Sequence, residues 1–322
     1  MALIPDDNKH ALQILAGTRG RKRGHEFEFE LANQINSMNS PVLRADTQAN
    51  VIKGRPDFAL VQKALHFLDW SLCTNIEAVP LGSLATAEAG KKWMEVRGIK
   101  IKACKSDILL TLYNGELYES LGISVKQCNN KTPTNAQLYF TTAIAFCRLL
   151  ARNNIDISSK AINSLRQFCG DEGFRPSDDP YKMSGRSIDP RRYFWEEIEN
   201  EGRLELESVF TKEQDKITKL LLQKAYLDDP FSPELLIHKT KKIEHGDQEF
   251  ATYSINELIK LSRSYAGFKK KEYSVRKGSF KDPAGIKHEA PRFGIVQMQR
   301  GGQKQHPTQL QFNLQAGYFY KI

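Results

Sequence analysis

The sequence predicts an α/β protein, and three observations carry that expectation. Residues 24–38 have helical periodicity: at ~100° per residue, Phe27, Leu31, Ile35 and Met38 fall within one narrow arc. The segment Ile101–Gln127 reads as strand, turn, strand about Asn114-Gly115, the strongest short hairpin signal in the chain. From Phe293 to Ile322, Phe293-Gly-Ile-Val-Gln-Met-Gln and Leu310-Gln-Phe-Asn-Leu flank a polar loop and read as two further strands.

Between these landmarks the signal varies. Residues 42–72 mix short apolar runs with Gly54 and Pro56, and strand and helix stay open there. Asn135–Arg152 is rich in apolar residues and reads as a helix, followed by a second over about Ser159–Phe168. The punctuated stretch Gly170–Pro180 is the best candidate boundary. Beyond it, Tyr193–Tyr226 is charged and helical, with Leu204, Val209, Ile217, Leu220 and Leu221 expected inside. The expected division is a core at 1–170, a mainly helical elaboration at 171–285 and a β element at 286–322.

Composition narrows the function classes. The 322 residues carry 47 Lys+Arg against 38 Asp+Glu, a net charge of +9. Basic clusters stand at Arg19–Arg23, Lys269–Lys271 and Arg276/Lys277, while acids gather in Glu196–Glu207, so one face can be positive toward phosphates. No apolar run approaches ~18 residues, which excludes an apolar membrane span. Met-Ala-Leu-Ile-Pro-Asp-Asp has neither a basic nor an apolar leader region, so no secretory signal is expected. Cys73, Cys104, Cys128, Cys147 and Cys169 lie far apart, form no C-x-x-C pair, and read as free thiols of a reducing cytosol.

The hairpin carries the chemistry. A two-residue Asn114-Gly115 turn would pair positions summing to 229, setting Ile108 opposite Leu121 and Leu112 opposite Leu117. Ile108, Leu110, Leu112, Leu117, Leu121, Ile123 and Val125 would then share a core face. Asp107, Ser124 and Lys126 would lie on the other, with Gly122 opposite Asp107 leaving room for a hydrated ion or a phosphate. A solvated polar face is the simpler reading. Phosphodiester hydrolysis, however, needs a carboxylate to hold a divalent metal and benefits from a nearby cation. Asp107 and Lys126 supply both on one surface.

Ser106-Asp107-Ile-Leu-Leu, followed by Leu121-Gly-Ile-Ser-Val-Lys-Gln127, resembles the PD-(D/E)xK nuclease superfamily, and within it type II restriction endonucleases. Two departures stand out: Ser106 replaces the proline that often precedes the aspartate, and Ser124 replaces the second acid. Some members carry S-x-K and recruit a carboxylate elsewhere. Gly24-His-Glu-Phe27-Glu28-Phe-Glu-Leu31 matches the G-x-x-F-E-x-x-L helix of the family, whose Glu faces the metal. Helical geometry agrees, because Glu28 borders the apolar arc while Glu26 and Glu30 point away.

The resemblance implies a central mixed sheet flanked by helices, restriction-endonuclease-like, with a helical insertion and a C-terminal β element completing a DNA cleft. It implies Mg²⁺-dependent, sequence-specific cleavage of double-stranded DNA, leaving 5′-phosphate and 3′-hydroxyl ends. Asp107, Glu28 and the Val125 carbonyl would ligand the metal. Lys126 would position or activate water, with Ser124 in a lesser role. A homodimer is expected because two strands must be cut, and a cognate DNA methyltransferase is the implied genetic partner. The competing expectations are a structure-specific or repair nuclease of the same superfamily and a non-catalytic DNA-binding protein.

Two further stretches are candidate DNA contacts. After Cys128, a polar loop runs toward the expected helix, where Lys131, Thr132, Asn135 and Gln137 can touch phosphates, or Thr134 can simply cap. In Gln297–His306, Arg300, Gln303, Lys304 and Gln305 combine cations and amides suited to guanine and adenine edges. A solvated hairpin loop is the plain alternative. Pro56-Asp57 is a literal P-D with no D/E-x-K at hairpin distance, leaving Asp57 a weak competitor. P-loop, G-x-S-x-G, H-E-x-x-H and HNH patterns are missing.

Overall fold

The computed structural model describes residues 8–81, 94–96, 98–101, 104–128, 135–184, 189–224, 230–244, 247–273, 286–300 and 308–320. The chain begins with α1 (Asn8–Asn36), β1 (Val42–Leu43), β2 (Val51–Lys53), α2 (Pro56–Leu68), β3 (Leu72–Cys73) and β4 (Asn75–Pro80). It continues through β5 (Met94–Val96), β6 (Ile99–Ile101), β7 (Ile108–Asn114), β8 (Leu117–Gln127) and β9 (Ala136–Thr142). Helices follow: α3 (Ala143–Ala151), α4 (Ser159–Cys169), α5 (Pro180–Met183), α6 (Asn200–Lys212) and α7 (Gln214–Gln223). The remainder is β10 (Pro233–Glu244), β11 (Asp247–Ser254), α8 (Ile255–Arg263), β12 (Phe268–Tyr273), β13 (His288–Phe293), β14 (Val296–Arg300) and β15 (Gln309–Leu314).

These elements form two compact units, neither continuous in sequence. One takes Met1–Ala136, Leu222–Leu258 and Ala316–Ile322; the other takes Gln137–Leu221 and Ile259–Gln315. The stretch Gly170–Pro180 therefore lies inside the second unit.

The first unit is built on a six-stranded mixed sheet in the order β2-β11-β10-β8-β7-β4. Only β8 and β10 run parallel; the other neighbours are antiparallel. A parallel pair cannot be closed by a tight turn and needs a long crossover. Here the chain between β8 and β10 includes the 137–221 stretch of the second unit. Phe27, Leu31 and Ile35 of α1 and Leu60, Ala64 and Leu65 of α2 join Ile108, Leu110, Ile123, Val125, Leu235, Ile237 and Phe250 in one core. The expected arc of α1 is thus the face it buries, although the helix starts well before residue 24.

The hairpin forms, but its register sums to 231: Ile108 pairs with Ile123, Leu110 with Leu121 and Asn114 with Leu117. The expected pairing is shifted by two because Gly115 and Glu116, not Asn114 and Gly115, are the central turn residues. Gly115 has φ 64°, so glycine takes the first central place, as primed turns allow. A two-residue shift preserves which face each side chain occupies. It does leave Leu117 at the turn, where it is exposed rather than in the core.

The second unit holds a five-stranded sheet in the order β12-β13-β14-β15-β9. Phe146 of α3 and Phe210 of α6 pack on Phe312 and Phe293, with ring centroids 4.7 and 5.2 Å apart. The helix expected over Asn135–Arg152 is half strand: β9 fills its first part, and α3 starts only after Thr142. The Thr142 hydroxyl accepts from the Ala145 amide at 3.2 Å and marks that start. The stretch 171–285 also departs from the expected helical insertion, since it contains β10, β11 and β12. Leu235, Leu236 and Ile237 are all fully buried, and such an uninterrupted apolar run suits a strand covered on both faces. In α6 the buried positions are Gly202, Leu206 and Phe210, while Val209 is half-buried and Leu204 is exposed.

Candidate metal centre at the end of the hairpin

Asp107 stands just before β7, and its backbone is fixed from two sides. Its amide donates to the Ile123 carbonyl at 2.8 Å, and its carbonyl accepts from Leu81 at 2.8 Å. The corrected register places Ser124, not Gly122, beside Asp107. A single carboxylate oxygen, Asp107 Oδ2, collects three donors: the Val125 amide at 2.6 Å, Lys126 Nζ at 3.2 Å and Ser124 Oγ at 3.4 Å. Lys126 Nζ also donates to the Val125 carbonyl at 3.0 Å.

Gly122 does not open a void for an ion. A Cβ there would lie 2.3 Å from Ser106 Oγ and 2.5 Å from the Ser232 carbonyl oxygen. The glycine instead admits the segment entering β10, whose Pro233 is its register partner.

Glu28 reaches the same corner from α1 and is 7% exposed, while Glu26 and Glu30 face solvent. Burial, and then the charge of Asp107, push its carboxyl above the ordinary range; His25 and Lys126 pull in the opposite direction. Two carboxylates are therefore close enough to repel. His25, one turn earlier, places Nδ1 3.0 Å from Glu28 Oε2.

On the neighbouring parallel strand His238 is the register partner of Lys126. It is fully buried, with Nδ1 2.6 Å from the Tyr320 hydroxyl. Burial and the adjacent Lys126 charge depress its pKa to about 4, so the ring is neutral at physiological pH. Neither histidine was singled out from sequence. His25 has a legible signal, its i,i+3 spacing to Glu28; His238 has none, because the strand it pairs with lies over a hundred residues earlier.

Among the described residues no three His, Cys, Asp or Glu side chains gather into a metal-holding group. Mg²⁺ rarely needs three: one or two carboxylates, with waters and substrate phosphates, make its usual shell. Asp107, Glu28 and the Val125 carbonyl offer oxygen donors of the kind Mg²⁺ takes, and Asp107 Oδ2 and the Val125 carbonyl are drawn together by Lys126 Nζ. Lys126 already spans Asp107 and that carbonyl, which marks the corner as one that favours positive charge.

The other candidates lie elsewhere. Lys131 and Thr132, with Thr134, fall outside the described residues, as do Gln303, Lys304 and Gln305. Asn135 and Gln137 are exposed, but the element they enter is strand β9, so no helix N-terminus assists there. Arg300 ends β14 and is 7% exposed. It donates to the Tyr193 carbonyl at 3.1 Å and stacks 3.9 Å from the Phe194 ring centre, so it holds its own unit together rather than projecting from the loop. Asp57 begins α2 and is held by Arg55 through bonds of 3.2 and 3.0 Å. No protein-family model matches the chain, and no curated protein sequence matches it.

Proposed function

We propose that this chain is a Mg²⁺-dependent endonuclease that cuts double-stranded DNA at specific sequences, as its S-x-K hairpin implies. The observation that carries the reading is the meeting of Asp107, Glu28, Lys126 and the Val125 carbonyl at one end of the β7–β8 hairpin. A Mg²⁺ ion held by Asp107 and Glu28 would supply a water of lowered pKa and a clamp on the phosphate oxygens. The Lys126 ammonium would face the negative charge on the phosphoryl oxygens, or hold the attacking water. Ser124 and the Val125 amide orient Asp107.

A second reading has an observation of its own. The Lys126–Asp107 contact is an ordinary ion pair, and a DNA-binding protein without catalytic activity needs no more. Glu28 weighs against it: a structural pair gains nothing from another carboxylate kept above its ordinary pKa by burial and, after that, by the charge of Asp107. Incubating the purified chain with phage DNA, with and without Mg²⁺, separates the possibilities. Discrete fragments support the restriction reading, a smear indicates a nuclease indifferent to sequence, and a mobility shift without cutting indicates a binding module.

A further inference from the structure

One face of the five-stranded sheet carries a row of polar side chains running from β12 through β13 and β14 to β15. Its first row follows the register: Lys269 pairs with Arg292, Arg292 with Gln297, and Gln297 with Asn313. Two residues further along, Lys271 pairs with Ala290 and Gln299 with Gln311. Glu272 and Glu289 alternate onto the opposite face, which also carries Phe268, Phe293, Met298 and Phe312. Lys269 and Lys271 are exposed on an edge strand and make no ion pair among the described residues.

The amides at the loop end of the β14–β15 hairpin are wired in series. Gln311 Nε2 donates to Asn313 Oδ1 at 3.0 Å, and Asn313 Nδ2 donates to Gln299 Oε1 at 3.2 Å. Asn313 is 4% exposed, so it clamps two half-buried neighbours from below. The chain of bonds uses the amino group of one glutamine and the carbonyl of the other. What remains is one free NH₂ and one free C=O, side by side at paired positions. Reversing all three amides exchanges the ends but leaves the same donor beside the same acceptor.

Adenine presents an acceptor, N7, beside a donor, N6–H, in the major groove, which also admits a two-stranded ribbon. We propose that Gln299 and Gln311, held by Asn313, read an adenine edge in the major groove of duplex DNA while Lys269 and Lys271 bind flanking phosphates. This rests on the reading that the chain binds double-stranded DNA, but not on its cutting it. The amide pair takes over the readout role that the sequence suggested for Arg300.

The test uses the full chain as Asp107→Asn, with Ca²⁺ and one fixed salt concentration, and selects from short duplexes with a randomised core. Sequencing should return a motif containing an A·T pair. Adding Gln299→Ala or Gln311→Ala should cut the preference at that pair about ten- to a hundredfold and leave the other positions alone. Lys269→Gln with Lys271→Gln should weaken motif and random duplexes alike and lower the log–log salt slope by about 2. Thermal melting confirms that each variant is folded, and Gln311→Glu repeats the test with the side-chain shape kept. An unchanged motif in the glutamine variants overturns the proposal, as does a preference lost at a G·C pair or no affinity for any duplex. If selection behaves as expected while the parent chain leaves DNA uncut in Mg²⁺, the nuclease reading fails and this one stands. Cutting by a chain whose motif ignores Gln299 and Gln311 gives the reverse.

Discussion

Replacing Asp107 by Asn and by Ala should separate its two jobs. Its Oδ2 accepts from the Val125 amide at 2.6 Å, and Val125 is 7% exposed, so Ala leaves a buried N–H without a partner at about 1–3 kcal/mol. Both variants also lose the pair with Lys126, whose side chains are 16% and 22% exposed, a contact worth about 1 kcal/mol or less. Asn keeps a neutral acceptor for Val125. Expected destabilisation is therefore about 1 kcal/mol for Asn and about 2–4 kcal/mol for Ala, read from urea unfolding at constant m. Mn²⁺ affinity, followed by electron paramagnetic resonance, should fall at least about tenfold in both, because the lost charge serves the metal in either case. Equal stability of the two variants would refute the anchoring role of Oδ2. Wild-type Mn²⁺ affinity in Asp107→Asn would refute the ligand assignment.

Three more outcomes follow from the geometry. Gly122→Ala forces a Cβ against Ser106 and the Ser232 backbone and should cost about 1–3 kcal/mol in urea unfolding; a loss below about 0.5 kcal/mol would mean the β8–β10 approach is looser than described. Glu28 binds its proton more tightly folded than unfolded, so the stability it contributes is present at low pH and lost as pH rises through the raised value. Glu28→Gln should accordingly be more stable than the parent at pH 8, converge with it in acid, and lose cleavage far more than Ser124→Ala; equal stability at pH 8 would contradict the buried, repelled carboxylate. Arg300→Ala removes a buried cation–π contact and a charged hydrogen bond and should cost about 2–4 kcal/mol of stability, while the ratio of specific to nonspecific DNA affinity stays unchanged.

What the sequence revealed was local. The α1 face and the β7–β8 hairpin were legible because Phe27, Leu31 and Ile35 repeat at helical spacing and Asn114-Gly115 marks a turn. The hairpin register was missed by two residues, since either Asn-Gly or Gly-Glu can occupy the centre and only the packed strands decide. Glu28 could be placed beside Asp107 through the family-like helix pattern, not through any local rule. His238 and the parallel strand β10 were invisible for a different reason. Their partner, β8, lies over a hundred residues earlier, and no short-range pattern encodes a pairing of that span. Arg300 looked like a groove reader because a cation among amides suits base edges equally well when buried. Its burial depends on Phe194 and Tyr193, which the sequence leaves far away.

Hydrolysis of phosphodiesters at the Asp107–Lys126 corner with a bound divalent cation leaves its mark on the ends of the products. Cutting plasmid DNA in ¹⁸O-labelled water with Mg²⁺, followed by mass analysis of the fragment ends, tests it most directly. The 5′-phosphate ends should carry the label and the 3′-hydroxyl ends should lack it. Cutting should be absent with EDTA and in Asp107→Asn. Labelled 3′-phosphate ends, or cutting that survives Asp107→Asn, would contradict it.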